Sequence, residues 1–127
     1  MTFTHRINPE TVIVNQIRSA LWTAGIPTFK HWGGPMGEPG IPDIIGTLPG
    51  GRALFIEVKT PKTIKSFPSN SVTQQAQDRF LKLHSKSGAA CAVVATVNDA
   101  LIVVGVIGQG FRFLAGGIRY EEGERLS

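Results

Sequence analysis

The chain has 127 residues, 42% hydrophobic and 17% charged, enough for one packed core and unlike a disordered or low-complexity chain. Its formal net charge of +4 and pI near 9.6 favour a polyanionic partner without demanding one. A single cysteine, Cys91, excludes an internal disulfide and a cysteine-built zinc site; the longest apolar stretch, 100–107, is too short to span a bilayer, and the first six residues lack a signal peptide's apolar core.

Asn8-Pro9-Glu10 predicts a helix start, with Asn8 as cap, Pro9 at the first position and Glu10 near the positive dipole end. Ile13, Ile17, Ala20, Leu21 and Ala24 recur at helical spacing, and Gly25 ends the helix. Residues 28–32 read as a strand, and 33–40 as a loop rich in glycine and proline. A second strand covers 42–47, with Pro42 marking an early or edge position. The third, 52–59, puts Leu54, Ile56 and Val58 on one face and Phe55, Glu57 and Lys59 on the other. Residues 60–70 form a polar loop. Ser71 followed by Gln74 has capping-box form and opens a helix to about Ser87, with Ala76, Phe80 and Leu83 on one stripe and Gly88 as its stop. The apolar run 90–96 is a central strand that carries Cys91 as a small buried hydrophobe. Asn98 caps a last helix through Asp99, Ala100 and Leu101, whose β-branched continuation weakens the helical reading. Residues 111–114 and 118–120 pair as a terminal hairpin around Ala115-Gly116-Gly117. The expectation is one domain over 1–127: an α/β fold with a mixed sheet of about four strands flanked by helices, in the order α-β-β-β-α-β-α.

Two short runs carry the chemistry. Gly40-Ile41-Pro42-Asp43 is followed, after the turn signal Leu48-Pro49-Gly50-Gly51, by Glu57-Val58-Lys59. A chain reversal near Gly50 sets Asp43 opposite Glu57, with Lys59 two residues on and on the same side of the sheet. Taken alone, Glu-x-Lys is more often a solvated cross-strand pair and Pro-Asp is ordinary turn chemistry. Their hairpin spacing joins them into one site. Facing like charges in a sheet costs up to about 1 kcal/mol. A magnesium ion removes that cost, since it takes a few carboxylates together with waters and phosphate oxygens, and the backbone carbonyl of Val58 offers one more oxygen. Lys59 would hold a phosphate or the attacking water by charge. The implied reaction is metal-assisted phosphodiester hydrolysis.

Other residues are weaker candidates. Lys30 and His31 end the first strand, and Lys62 and Lys65 follow the third, so all four are candidate DNA contacts. A strand-end histidine is more often merely half exposed. Lys62 and Lys65 with Arg79, Lys82 and Lys86 read equally as a phosphate track or a solvated helix face. No histidine or cysteine spacing supports zinc, and Gly33-Gly34 and Gly50-Gly51 lack the pattern of a nucleotide-binding loop.

The segments Gly40-Ile41-Pro42-Asp43-Ile44-Ile45-Gly46, Leu48-Pro49-Gly50-Gly51-Arg52, Ile56-Glu57-Val58-Lys59-Thr60-Pro61 and Ala76-Gln77-Asp78-Arg79-Phe80 resemble the VRR-NUC family of the PD-(D/E)XK nuclease superfamily. The resemblance runs from about Glu10 to Leu101. It implies a restriction-endonuclease-like fold and a Mg2+- or Mn2+-dependent endodeoxyribonuclease. The stand-alone phage and bacterial members that it resembles are like Holliday-junction resolvases and act as dimers, which implies branched DNA, a homodimer and the cytoplasm of a bacterial or phage-infected cell. By position, the resemblance makes Asp43 and Glu57 metal ligands, Lys59 the catalytic lysine, Gln77 the helix glutamine near the metal and Glu10 a possible outer ligand. Gln74 competes with Gln77 but is better used as a cap. The stretch before Gly40 is shorter and less basic than is common in the family. Flap, nick or single-strand cleavage, and a non-catalytic DNA-binding module, are the alternatives. The apolar segment 103–114 is a candidate dimer surface or core.

Overall fold

A computed structural model describes residues 8–31, 39–105 and 116–126. Helix α1 (Pro9–Thr23) begins where Asn8 accepts a hydrogen bond from the Glu10 N–H through its side chain, with proline in the first turn. It buries Val14, Ile17 and Leu21, whereas Ala24, expected on that face, is exposed. Strand β1 (Thr28–Lys30) is shorter than its sequence signal, whose last residue, Trp32, lies outside the described residues. Strands β2 (Ile44–Thr47) and β3 (Ala53–Val58) form the expected hairpin, with Ile44 opposite Ile56 and Thr47 opposite Ala53.

After β3 comes an element that the sequence reading took for loop. Thr60 caps a single helical turn, α2 (Pro61–Ile64), by accepting from the Thr63 N–H, and Ile64 is buried. Helix α3 (Val72–Lys86) is capped by Ser71 as expected. Its buried residues are Asp78, Leu81 and Ser85; Leu83, expected on the apolar stripe, is 60% exposed. Strand β4 (Ala90–Val94) is buried throughout, and helix α4 (Val97–Val103) follows. The cap of α4 is Thr96, not Asn98, and the helix runs on through Ile102 and Val103 despite their branching because they pack against the core. The chain closes with β5 (Ile118–Glu121) and β6 (Glu124–Leu126). This hairpin turns at Glu122-Gly123, not around Ala115-Gly117, and 111–114, its expected first strand, lies outside the described residues. Most of the suggested dimer segment 103–114 does so too.

Among the described residues six strands, against the expected four or so, lie in the order β1-β2-β3-β4-β5-β6, with only β3 and β4 parallel. Helix α3 is the crossover between these two, which places it on one face of the sheet. Leu54, Ile56, Val58 and Val94 pack with Ile17 and Leu21 of α1 and Ala100 of α4 on one side. Cys91, Val93, Ile118 and Tyr120 pack with Leu81 of α3 and with Ile64 and Phe67 on the other. The mixed sheet with helices on both faces is therefore present. No described helix is long and apolar enough to cross a membrane.

Candidate active site

The site opens at the end of β3, where the parallel pairing with β4 runs out. Lys59 continues the ladder by one residue, its N–H donating to the Val94 carbonyl at 3.0 Å. Glu57 and Lys59 then share the α3 side of the sheet. Both are buried, at 2% and 7% exposure, and the Lys59 ammonium lies 3.3 Å from Glu57 Oε2. The same ammonium is 5.7 Å from the centroid of the Phe67 ring, within range of a cation–π attraction.

Asp43 stands one residue before β2, opposite Glu57 by extension of the hairpin register. Its Oδ2 accepts a 2.8 Å hydrogen bond from the Val58 N–H. Val58 thus meets the site through its N–H, between the two residues that carry charge. On the other side, the Asp43 carbonyl accepts from the His31 N–H at 2.8 Å.

Gly40 explains how Asp43 is brought there. Its φ is +87°, and a Cβ built on it would lie 2.5 Å from the carbonyl oxygen of Ala76 in α3. Only a residue with no side chain lets this loop press on the helix. Gln77 is the next residue of α3, so the loop that delivers Asp43 touches the helix that carries Gln77. Both Gln77 Oε1 and Glu57 Oε1 are buried without a hydrogen-bond partner.

Glu10, half buried at the start of α1, feels both Asp43 and Lys59. Burial first, and then the Asp43 carboxylate, raise its carboxyl above the ordinary value, while Lys59 lowers it. Glu57 is raised much further. Burial is the main cause and Asp43 the second, and together they outweigh the ion pair with Lys59. Three carboxylates gather around one amine, which leaves the cluster two positive charges short when all are ionised.

Among the described residues no three His, Cys, Asp or Glu side chains are grouped closely enough to form a ready metal cage. The donors that are present nevertheless suit a hard divalent cation. They are carboxylate and amide oxygens, two of them buried and unpartnered, in a cluster where burial and the neighbouring Asp43 raise Glu57 and Glu10. Magnesium takes one or two carboxylates and keeps several waters, so it needs no closed cage.

The other sequence candidates fall into two groups. Lys30 and His31 are half exposed beside Asp43, and Lys62 and Lys65 are exposed on and just after α2, so these four border the site. Lys82 pairs with Asp78 at 3.0 Å within α3, and the Lys86 side chain lies beside Gly123 of the terminal hairpin. Gln74 is committed as well, its Oε1 accepting from the Ser69 N–H at 2.7 Å. His84 stacks on Phe80 with ring centroids 4.0 Å apart. Sequence reasoning missed the work of Gly40, the Phe67 ring and the buried Tyr120 hydroxyl, which donates to Asp78 Oδ1 at 2.7 Å. The only readable hint for Gly40 was the glycine itself, a residue that admits positive φ; contacts made through folding left none for the other two.

No family model matches the chain, and no curated protein does. Among solved structures, one described as a VRR_NUC domain superposes with a TM-score of 0.58 at 22% identity, over 80% of this chain and 100% of that one. The chain therefore has the fold of that domain.

Proposed function

We propose that this protein is a divalent-metal-dependent nuclease that hydrolyses phosphodiester bonds in DNA. One observation carries the reading: buried Glu57 has an oxygen without a hydrogen-bond partner and stands opposite Asp43 with the Lys59 ammonium at 3.3 Å. A stable fold without a ligand there would favour apolar residues or a balanced pair. The VRR-NUC-like fold and the four matched segments point the same way.

Asp43, Glu57 and the Val58 carbonyl would hold Mg2+ or Mn2+, with Gln77 beside them and Glu10 in an outer position. When bound, the metal supplies an acidified water and a positive centre for charge that builds on the phosphate. Lys59 has its own part. Its ammonium is fixed by Glu57 and Phe67, so it meets an incoming phosphate or water without reorganising. The Val58 N–H orients the Asp43 carboxylate, leaving Oδ1 for the metal.

The preferred substrate in this reading is branched DNA, four-way junctions first, with a homodimer presenting two equal sites to a two-fold-related junction. Flaps, nicks and single strands are the next candidates. The deciding experiment incubates labelled junctions, flaps, nicked and intact duplexes with Mg2+ or Mn2+ and compares the native protein with Asp43→Asn and Lys59→Ala. Metal-dependent cleavage lost in both variants is the expected result; undiminished cleavage in both overturns the site.

A further inference from the structure

A cavity of about 320 Å³ opens just past Lys59 in the chain, beginning at Pro61. Pro61, Ile64 and Ala95 supply its apolar lining, and Lys65, Thr96, Gly116 and Gly117 complete it. Its place follows from the ladder. Ala95 comes directly after Val94, whose carbonyl takes the Lys59 N–H, and Pro61 is two residues beyond Lys59. The floor of the cavity therefore begins where the charged cluster ends, at the carboxyl ends of the two parallel strands, the usual place for a ligand in an open α/β sheet.

Its chemistry is one-sided. No described lining residue is acidic, and none offers a titratable group other than Lys65. Lys62 and Lys65 are exposed and make no ion pair among the described residues. The size is near the lower end of the ~300–1,000 Å³ of small-molecule sites, enough for one nucleoside and too small for the end of a duplex. A proline ring and a branched aliphatic wall suit a flat apolar surface, and two glycines expose backbone groups to the edge of such a ring.

We infer that this cavity receives the base of an unpaired nucleotide next to the scissile phosphate, with the backbone of that nucleotide running over Lys65 and Lys62. The inference rests on the nuclease reading and sharpens it. It also reorders the substrates: among branched DNAs, those with an unpaired nucleotide at the branch, such as flaps, come ahead of fully paired four-way junctions. Paired DNA keeps its bases stacked and leaves the cavity unfilled. Extruding a base from a duplex costs a few kcal/mol, whereas one already unpaired enters without that cost.

The test is binding by the whole native protein to flap DNA labelled with fluorescein, in Ca2+ to hold back cleavage. Intact DNA is compared with DNA in which one nucleotide at a time on either side of the branch is abasic. One abasic position should weaken binding about tenfold, the worth of one base contact, while the others change it little. Ala95→Leu, which fills the cavity, should weaken intact DNA by a similar factor and erase the abasic difference. Equal affinity for intact DNA and for every abasic DNA overturns the inference, whether or not Ala95→Leu folds. A clear abasic effect in a protein that cleaves nothing with Mg2+ or Mn2+ leaves the cavity standing and removes the nuclease reading instead.

Discussion

Asp43 reaches across the hairpin and accepts the N–H of Val58 at 2.8 Å. This bond locks a side chain from one strand to the backbone between Glu57 and Lys59 on the next. The two carboxylates and the amine therefore hold their spacing without help from a ligand, at the cost of like charges kept close in a buried place.

That bond makes Asp43→Asn an informative variant. An asparagine oxygen still accepts from the Val58 N–H, so the thermal midpoint should stay within about 3 °C of the native one. The carboxylate charge is lost, and metal-dependent cleavage should fall by about 10²- to 10³-fold, the scale seen when one preorganised electrostatic group is removed. Asp43→Ala loses both and should also unfold at a lower temperature. Melting curves and single-turnover cleavage separate the two effects.

Glu57 gives a pH signature. In the unfolded chain its carboxyl ionises near 4.5; in the folded protein it holds its proton to a much higher pH. Between these values the folded state binds the extra proton, so rising pH removes stability from the metal-free protein through this group. Glu57→Gln has no such loss, and its amide oxygen still accepts from Lys59. Without metal, the variant should match the native melting temperature below about pH 4.5 and exceed it increasingly as pH rises to 7–8. Mn2+ should raise the native midpoint and leave the variant unmoved. Scanning calorimetry across pH, with and without Mn2+, checks both; a variant less stable than native at pH 8 without metal contradicts the account.

Gly40→Ala tests the loop. Its Cβ would meet the Ala76 carbonyl at 2.5 Å, in a backbone conformation with φ of +87°. The loop must lift from α3, costing about 1–3 kcal/mol and displacing Asp43. Urea denaturation should show the loss, and titration calorimetry should show weaker Mn2+ binding. Gly50→Ala is strained at φ +93° but has open space around its Cβ, so it should lose some stability and leave Mn2+ binding unchanged.

Tyr120→Phe removes the hydrogen bond to Asp78 in the core, and about 1 kcal/mol of stability should go with it. The loss is modest because Asp78 keeps Lys82. Burial and the neighbouring Asp78 raise the Tyr120 hydroxyl far above its ordinary value. Its ultraviolet absorbance should therefore show no phenolate at any pH at which the protein is folded.

The part of this molecule that could be read in its sequence is the part governed by short-range rules. Alternation and one glycine turn placed Ile44 opposite Ile56, because side-chain period and loop length together determine register. Asn8 and Ser71 announced their helices by local capping. Helix α2 escaped because one turn of Pro-Lys-Thr-Ile is too short for periodicity to show. Leu81, not Leu83, faces inward on α3, since the buried stripe contains Asp78 and Ser85 and so does not look apolar. Asp78 belongs there only because Tyr120, far along the chain, supplies its donor. The final hairpin turns at Glu122 and Gly123, both at positive φ, yet β6 is Glu-Arg-Leu and carries no hydrophobic alternation. At the site, Asp43, Glu57 and Lys59 were legible as one constellation; Gly40's contact with Ala76 needed the fold.

Strand order in the sheet repeats strand order along the chain. Each strand therefore pairs with the one before it, and among the described residues helices intervene twice, α2 and α3 before β4 and α4 before β5. A nascent chain ending before β4 already contains the β2–β3 hairpin whose register sets Asp43 opposite Glu57. It lacks Ala95, and without β4 there is no sheet edge to pin down the helix bearing Gln77. Competence for the proposed chemistry is thus a late event in synthesis, and a fragment released early would carry the paired acids without the means to use them.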